Sequence, residues 1–153
     1  MDALPTVLAE QIVLESVDVP LEHPQNPRQG DVGVIAESIR VNGYVAPIIV
    51  QRSTRFVVDG NHRLKAAKAL GMPTIPVVWV DIDDEAALRY LIAANRANDV
   101  ASYDDAALSA LLVDLQRETA LGLAGTGWQG DDLDRLIADL SALPAFASDN
   151  GQP

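Results

Sequence analysis

A strand that runs directly into a glycine turn and then into a basic helix start constrains this chain more than any other feature. Phe56-Val57-Val58 is an apolar, β-forming run, Asp59-Gly60 interrupts it, and Asn61-His62-Arg63-Leu64-Lys65-Ala66-Ala67 continues with helical character. Backbone N–H groups at such a helix start have no intrahelical acceptor, and the helix dipole adds partial positive charge there. Gly60 lets a ligand approach the backbone closely, and Arg63 supplies a forked guanidinium suited to phosphate oxygens. No GxxxxGK[ST] sequence occurs, so a P-loop is not the route to an anion site. Spacing alone leaves two readings open: an anion site, or a plain turn followed by a solvated basic helix face.

The elements around this turn alternate. Ile12-Val13-Leu14 reads as a short strand, followed by a break at Val17–Pro20. Residues 21–31, with Pro24, Asn26, Pro27 and Gly30, read as loop. Apolar residues at helical spacing predict a helix over Val32–Asn42, stopped by Gly43. Strands are expected at 47–50 and 55–58 with a hairpin turn at 51–54. A helix is expected from Asn61 to Leu70, with Ala66, Ala67, Ala69 and Leu70 packing inward and Gly71 ending it. Thr74–Val80 reads as a buried strand, and Asp83–Ala97 as a helix with carboxylates at its positive end.

Beyond Asp99 the character changes. Ser102 is expected to cap a helix from Asp104 to about Thr119, with Leu108, Leu111, Leu112 and Leu115 on its apolar face. A linker at 122–130 contains Trp128, and a second helix at 131–140 presents Leu133, Leu136, Ile137 and Leu140. The expected organisation is therefore a main domain at 12–100, a helical appendage at 101–141 and a disordered tail at 142–153. The two apolar seams of the appendage serve either to fold back on the domain or to meet a partner.

Charge sharpens the placement of any anion site. The formal net charge is −11, but residues 1–80 carry seven Lys/Arg against eight Asp/Glu, while residues 81–153 carry four against fourteen. The first half is where an anion is tolerated. The acidic second half argues against a chain that wraps duplex DNA alone, because non-specific DNA affinity comes mostly from neutralising phosphates. Asp104–Glu118 holds one Arg against four acids, so no basic recognition helix is present and direct sequence-specific DNA binding is not expected. Cysteine is absent, which removes disulfides, thiolate metal sites and a cysteine nucleophile together and fits a cytoplasmic location. Met1–Val19 lacks the pattern of a signal peptide, and no run reaches the roughly 18 apolar residues of a membrane span.

Four separated segments, in order, carry a resemblance. Asn26-Pro27-Arg28, Glu37-Ser38-Ile39 to Gly43, Pro47-Ile48-Ile49-Val50 and Asp59-Gly60-Asn61-His62-Arg63 resemble the N-terminal domain of the ParB/sulfiredoxin superfamily, and Ile92–Asn98 continues the match. The resemblance implies an α+β fold, a small mixed sheet with helices, over about residues 12–100, in a protein of stand-alone phage or actinobacterial type. It further implies a nucleoside triphosphate, CTP or ATP, bound with Mg²⁺. The residues it assigns to the nucleotide are Arg28, Gly43, Pro47, Asp59, Gly60, Asn61, His62, Arg63 and Arg96, with Asn95 on the metal. Action in DNA-related processes through a partner, a role for the acidic helices in binding that partner, and a homodimer formed with nucleotide also follow as expectations.

Departures from the partition-protein pattern qualify what is implied. His62 replaces an arginine, Ala94 stands where a glutamate serves hydrolysis, and Asn98 stands where a second arginine belongs. Hydrolysis by that route therefore lacks its carboxylate. Sulfiredoxins carry their catalytic cysteine where this chain has Asn61, so sulfinic-acid reduction is excluded. A small-molecule kinase using Glu22, a metal-dependent nuclease and a nucleotide-free interaction module stand as alternatives. His23 and His62 are weak evidence for a metal, Glu37 reads first as a solvated helix residue, Trp79 as core, and Trp128 as an anchor for the linker.

Overall fold

Seven elements alternate through the first hundred residues of the computed structural model, which describes residues 3–142. They are β1 (Ile12–Ser16), α1 (Val32–Asn42), β2 (Ile48–Gln51), β3 (Val57–Asp59), α2 (Asn61–Ala69), β4 (Thr74–Val80) and α3 (Asp84–Val100). The strands form one mixed sheet in the order β1-β4-β2-β3. β4 runs parallel to β2 and antiparallel to β1, and β2 is antiparallel to β3.

The two-residue period of the strands divides the core between the sheet faces. Ile48, Val50, Val57, Ile75 and Val77 meet Leu64 and Ala67 of α2 on one face. Val58, Val78 and Val80 meet Ala87 of α3 on the other. Pro76 lies in β4 opposite Leu14 of β1. The neighbouring Val17 N–H bonds to Pro73 O, so odd-numbered residues of β1 face β4 with their backbone groups, and Pro76 needs no N–H there.

Several boundaries differ from the sequence reading. α2 buries Leu64, Ala66 and Ala67, whereas Ala69 and Leu70 are exposed, because the helix closes at Leu70 and the chain turns at Gly71 (φ 70°). α3 is capped by Asp83, whose carboxylate accepts the Ala86 N–H, and it continues to Val100 rather than stopping at Ala97. β2 reaches Gln51, and β3 starts at Val57 because Arg55 takes a left-handed conformation (φ 63°) in the turn. Trp79 is half-buried rather than fully enclosed. It packs at the core margin, with the Arg52 guanidinium 5.6 Å from its ring centre and its indole N–H donating to Glu15.

The chain divides between Ala101 and Ser102. The second unit holds α4 (Asp105–Glu118) and α5 (Gly130–Ala142), which pack on each other. Its cap is Asp104, not Ser102: the Asp104 carboxylate accepts the Ala107 N–H at 3.0 Å. Leu112 and Leu133 are buried, whereas Leu111 and Ile137 of the expected apolar seams are exposed. Trp128 stacks edge-on against Tyr103 at 6.0 Å, which pins the intervening turns. The tail expected at 142–153 lies, from residue 143, outside the described residues.

Candidate functional site

The register of β2 and β3 prepares the turn. Ile49 pairs with Asp59 and Val50 with Val57, so Val58 is an extra residue bulged between them. The chain then enters Gly60 at φ 101°, a conformation that side chains with a Cβ rarely adopt. A Cβ on Gly60 would lie 2.6 Å from Ile48 Cγ2 and 2.9 Å from the Arg63 guanidinium. The glycine therefore makes room for the chain's own Arg63 as well as for any ligand.

α2 starts without a side-chain cap, whereas α1, α3 and α4 each begin with an aspartate that accepts a backbone N–H. The first intrahelical bond runs from Leu64 N–H to Gly60 O, which leaves Asn61, His62 and Arg63 with no acceptor inside the helix. These groups border a cavity of about 200 Å³ lined by Asn26, Arg28, Gly60, His62, Arg63 and Asn95, among others.

Asn61 fastens the loop that forms one wall. Its side chain is buried, accepting the His23 N–H at 2.8 Å and donating to Val57 O at 3.1 Å. Its backbone N–H has no acceptor inside the helix. The next stretch of the loop brings Gly30 against the His62 ring. Arg28 donates to Asn95 O at 3.2 Å and to Asp99 at 2.9 Å, and Asn95 Nδ2 donates to Asn26, so loop and α3 are stitched together at the cavity.

Arg63 is held from several sides. It donates to Pro47 O at 3.0 Å and lies 3.7 Å from Asp59. Its Nε and the nearby Tyr44 hydroxyl are both buried without a well-formed hydrogen bond. Burial raises the Tyr44 pKa, with Arg63 opposing. Burial likewise raises that of Tyr90, with the Asp59 charge adding to it and Arg63 opposing. His62 is pushed below its ordinary value by burial and by the charges of Lys65 and Arg28, against Glu22.

Of the residues expected at the site, Arg28, Asp59, Gly60, Asn61, His62, Arg63 and Asn95 line the cavity together. Gly43, Pro47 and Arg96 do not. Gly43 (φ 84°) closes α1, Pro47 touches the site only through Arg63, and Arg96 is on an exposed side of α3. Asn26 and Asn98 also line the cavity without having been assigned to it. The motif Asn26-Pro27-Arg28 was the available signal for Asn26. His23 Nδ1 accepts the Gln25 N–H, and its ring packs on Phe56, so His23 and His62 do not form a pair at the cavity. Glu22 is ion-paired with Lys65 at 3.5 Å and does not line the cavity.

Among the described residues no group of three or more His, Asp or Glu gathers to hold a metal. The oxygen-bearing side chains that line the cavity, Asp59 with Asn26, Asn61, Asn95 and Asn98, supply a single carboxylate, and suit Mg²⁺ only where phosphate oxygens complete the shell. No helix of the described residues is long and apolar enough to cross a membrane.

Comparison with known proteins bears on family and fold. Chromosome-partitioning protein ParB of Caulobacter vibrioides is 30% identical over 108 residues, 62% of this chain and 36% of that protein. The probable ParB of Helicobacter pylori is 30% identical over 83 residues, 50% of this chain and 29% of that protein. A ParB-like protein of Sulfolobus acidocaldarius is 39% identical over 49 residues, 32% of this chain and 25% of that protein. The chain thus spans about a third or less of the length of these curated relatives. Among solved structures, C-terminally truncated ParB of Caulobacter crescentus complexed with CTP-gamma-S shares the fold, with a TM-score of 0.72. It is 23% identical and covers 89% of this chain and 81% of that one. Residues 10–96 match the family described as ParB N-terminal domain, and with more than half its length inside that match the chain belongs to this family.

Proposed function

We propose that this chain binds a nucleoside triphosphate, CTP first, by gripping its phosphates at the open start of α2. The observation that carries this reading is the uncapped helix itself: three N–H groups with no acceptor inside the helix, on residues that line a cavity flanked by Arg28, His62 and Arg63, in a chain of net charge −11. Ligand cavities for whole small molecules run to about 300–1,000 Å³, so about 200 Å³ takes the phosphates and leaves base and sugar outside it. The preference for CTP over ATP draws support from the neighbour of known structure that is complexed with CTP-gamma-S. Mg²⁺ enters with the triphosphate, held by its oxygens and by the Asn95 and Asn98 amides. Ala94 brings no carboxylate beside Asn95, so the reading is one of binding rather than turnover.

Through this domain the chain acts in DNA-related processes together with a protein partner, and nucleotide binding favours a homodimer. The helical unit suits a basic partner: it carries Asp104, Asp105, Asp131, Asp132 and Asp134 together with exposed Leu111 and Ile137.

Thermal unfolding with CTP, ATP and GTP, each with and without Mg²⁺, tests the site. Ligand at about 100 times its dissociation constant adds roughly 2.7 kcal/mol, a shift of several degrees. His62→Glu places a carboxylate against the incoming phosphates and is expected to abolish the shift while leaving the ligand-free transition nearly unchanged. Absence of a shift with every nucleotide would overturn the reading.

A further inference from the structure

The two edges of the sheet are treated differently. β3 is short and bulged at Val58, and its outer side is met by Leu21, which accepts the Val57 N–H at 2.8 Å. Such features keep an edge from pairing with another chain. β1, at the other edge, has none of them: its register against β4 runs unbroken from Ile12 to Ser16, with neither Pro nor Lys in the strand. Its odd-numbered residues turn their backbone groups to β4, so the N–H and C=O groups of Ile12 and Leu14 point outward. Among the described residues nothing meets them. The side chains of the same two residues share one sheet face and are 61% and 73% exposed. The one charge of the strand, Glu15, is turned to the other face, where it accepts the Trp79 indole N–H at 3.1 Å.

We propose that β1 is a self-association edge: two copies of this chain pair β1 with β1, antiparallel, in the register that sets Ile12 opposite Leu14 of the second copy. The strand is self-complementary in that register. Val13 lies on the two-fold axis opposite its own counterpart, and the exposed apolar side chains of Ile12 and Leu14 cover those of the second copy. The outward backbone groups of Ile12 and Leu14 exchange both of their hydrogen bonds across the axis. Charge agrees with the same register. Glu15 falls opposite Gln11 of the second copy and Glu10 opposite Ser16, so each carboxylate faces a side chain able to donate to it. A shift of two residues would instead bring Glu10 opposite Asp18. The pairing needs no nucleotide, and it joins the copies at the edge away from β3 and Gly60, where the phosphate cavity lies.

The chain holds no cysteine, so a single substitution supplies a single thiol for cross-linking. Across the axis two copies of residue 13 form a non-hydrogen-bonded pair, with Cα atoms about 4.5 Å apart, within disulfide reach. Mild oxidation of full-chain Val13→Cys without nucleotide is expected to give a disulfide dimer. Two copies of Glu15→Cys place their thiols about 14 Å apart, at about 3.4 Å per residue, and are expected to stay unlinked. Mixed with Gln11→Cys, the Glu15→Cys chain is expected to link to it, which tests the register without altering Val13. Sedimentation of the parent is expected to show a monomer–dimer equilibrium, strengthened by salt because each copy carries a net charge of −11. Leu14→Lys, at an exposed position, is expected to weaken that equilibrium by about tenfold or more. Linking of Glu15→Cys to itself as readily as Val13→Cys overturns the proposal, as does a dimer that Leu14→Lys leaves intact. A parent that stays monomeric at every concentration also overturns it, and leaves the edge to a strand of another protein.

Discussion

Asn61 and His62 are adjacent in sequence, yet one is part of the frame and the other faces the cavity. The Asp-Gly step and the basic residues after it made the helix start legible, because a turn residue followed by helix formers has one local solution. The burial of Asn61 was not legible, since it depends on residues 21–31 folding over α2 and delivering the His23 N–H to its amide oxygen. Gly60 was read as room for a ligand, but the nearest atoms to its absent Cβ belong to Ile48 and Arg63. The histidines give a pH dependence of defined sign. Burial holds His23 and His62 below the ordinary imidazole value, opposed at His23 by Asp84 and reinforced at His62 by Lys65 and Arg28. Between the depressed folded values and the unfolded value of about 6.5, the unfolded chain binds more protons, so stability falls as pH is lowered through that window. The melting temperature of the ligand-free chain is expected to drop between about pH 7 and pH 5, and His62→Gln is expected to reduce that drop.

Caps show which element boundaries a sequence can reveal. Asp31, Asp83 and Asp104 each place a carboxylate on the N–H three residues later, and each precedes a run with helical spacing. At α4 two cap types compete in the sequence, Ser102 and Asp104, and only backbone geometry decides between them. Asp104→Ala is expected to cost about 0.5–2 kcal/mol of the second unit's stability, and Ser102→Ala close to nothing, measurable by chemical denaturation followed through Trp128. The short strand β3 was hard to delimit for a different reason. Its register depends on the bulge at Val58 and on the left-handed Arg55, neither of which leaves a mark in hydrophobic periodicity. The alternation of β2, β3, α2 and β4 was legible because each strand feeds its odd and even residues to different apolar faces.

Across the whole chain, acid exceeds base in both units: residues 1–101 carry nine Lys/Arg against thirteen Asp/Glu, and residues 102–153 two against nine. The basic side chains that line the cavity come from the first unit, while the second unit carries an excess of acid and its own pair of buried leucines. The order of four motifs conveyed the fold because each marks a turn or helix end that the sheet requires. The side chains that meet across that order, such as Arg28 with Asp99 and Asn26 with Asn95, become visible only once loop and α3 are brought side by side. The open start of α2 also provides a reporter built into the backbone. The amide protons of Asn61, His62 and Arg63 have no acceptor within the helix, so without ligand they trade with solvent deuterium far faster than those deeper in α2. A bound triphosphate would supply the acceptors, and mass-spectrometric exchange is expected to show protection confined to the peptide spanning this turn. Occupancy of the site is thus recorded by the chain's own hydrogens, with no label and no substitution.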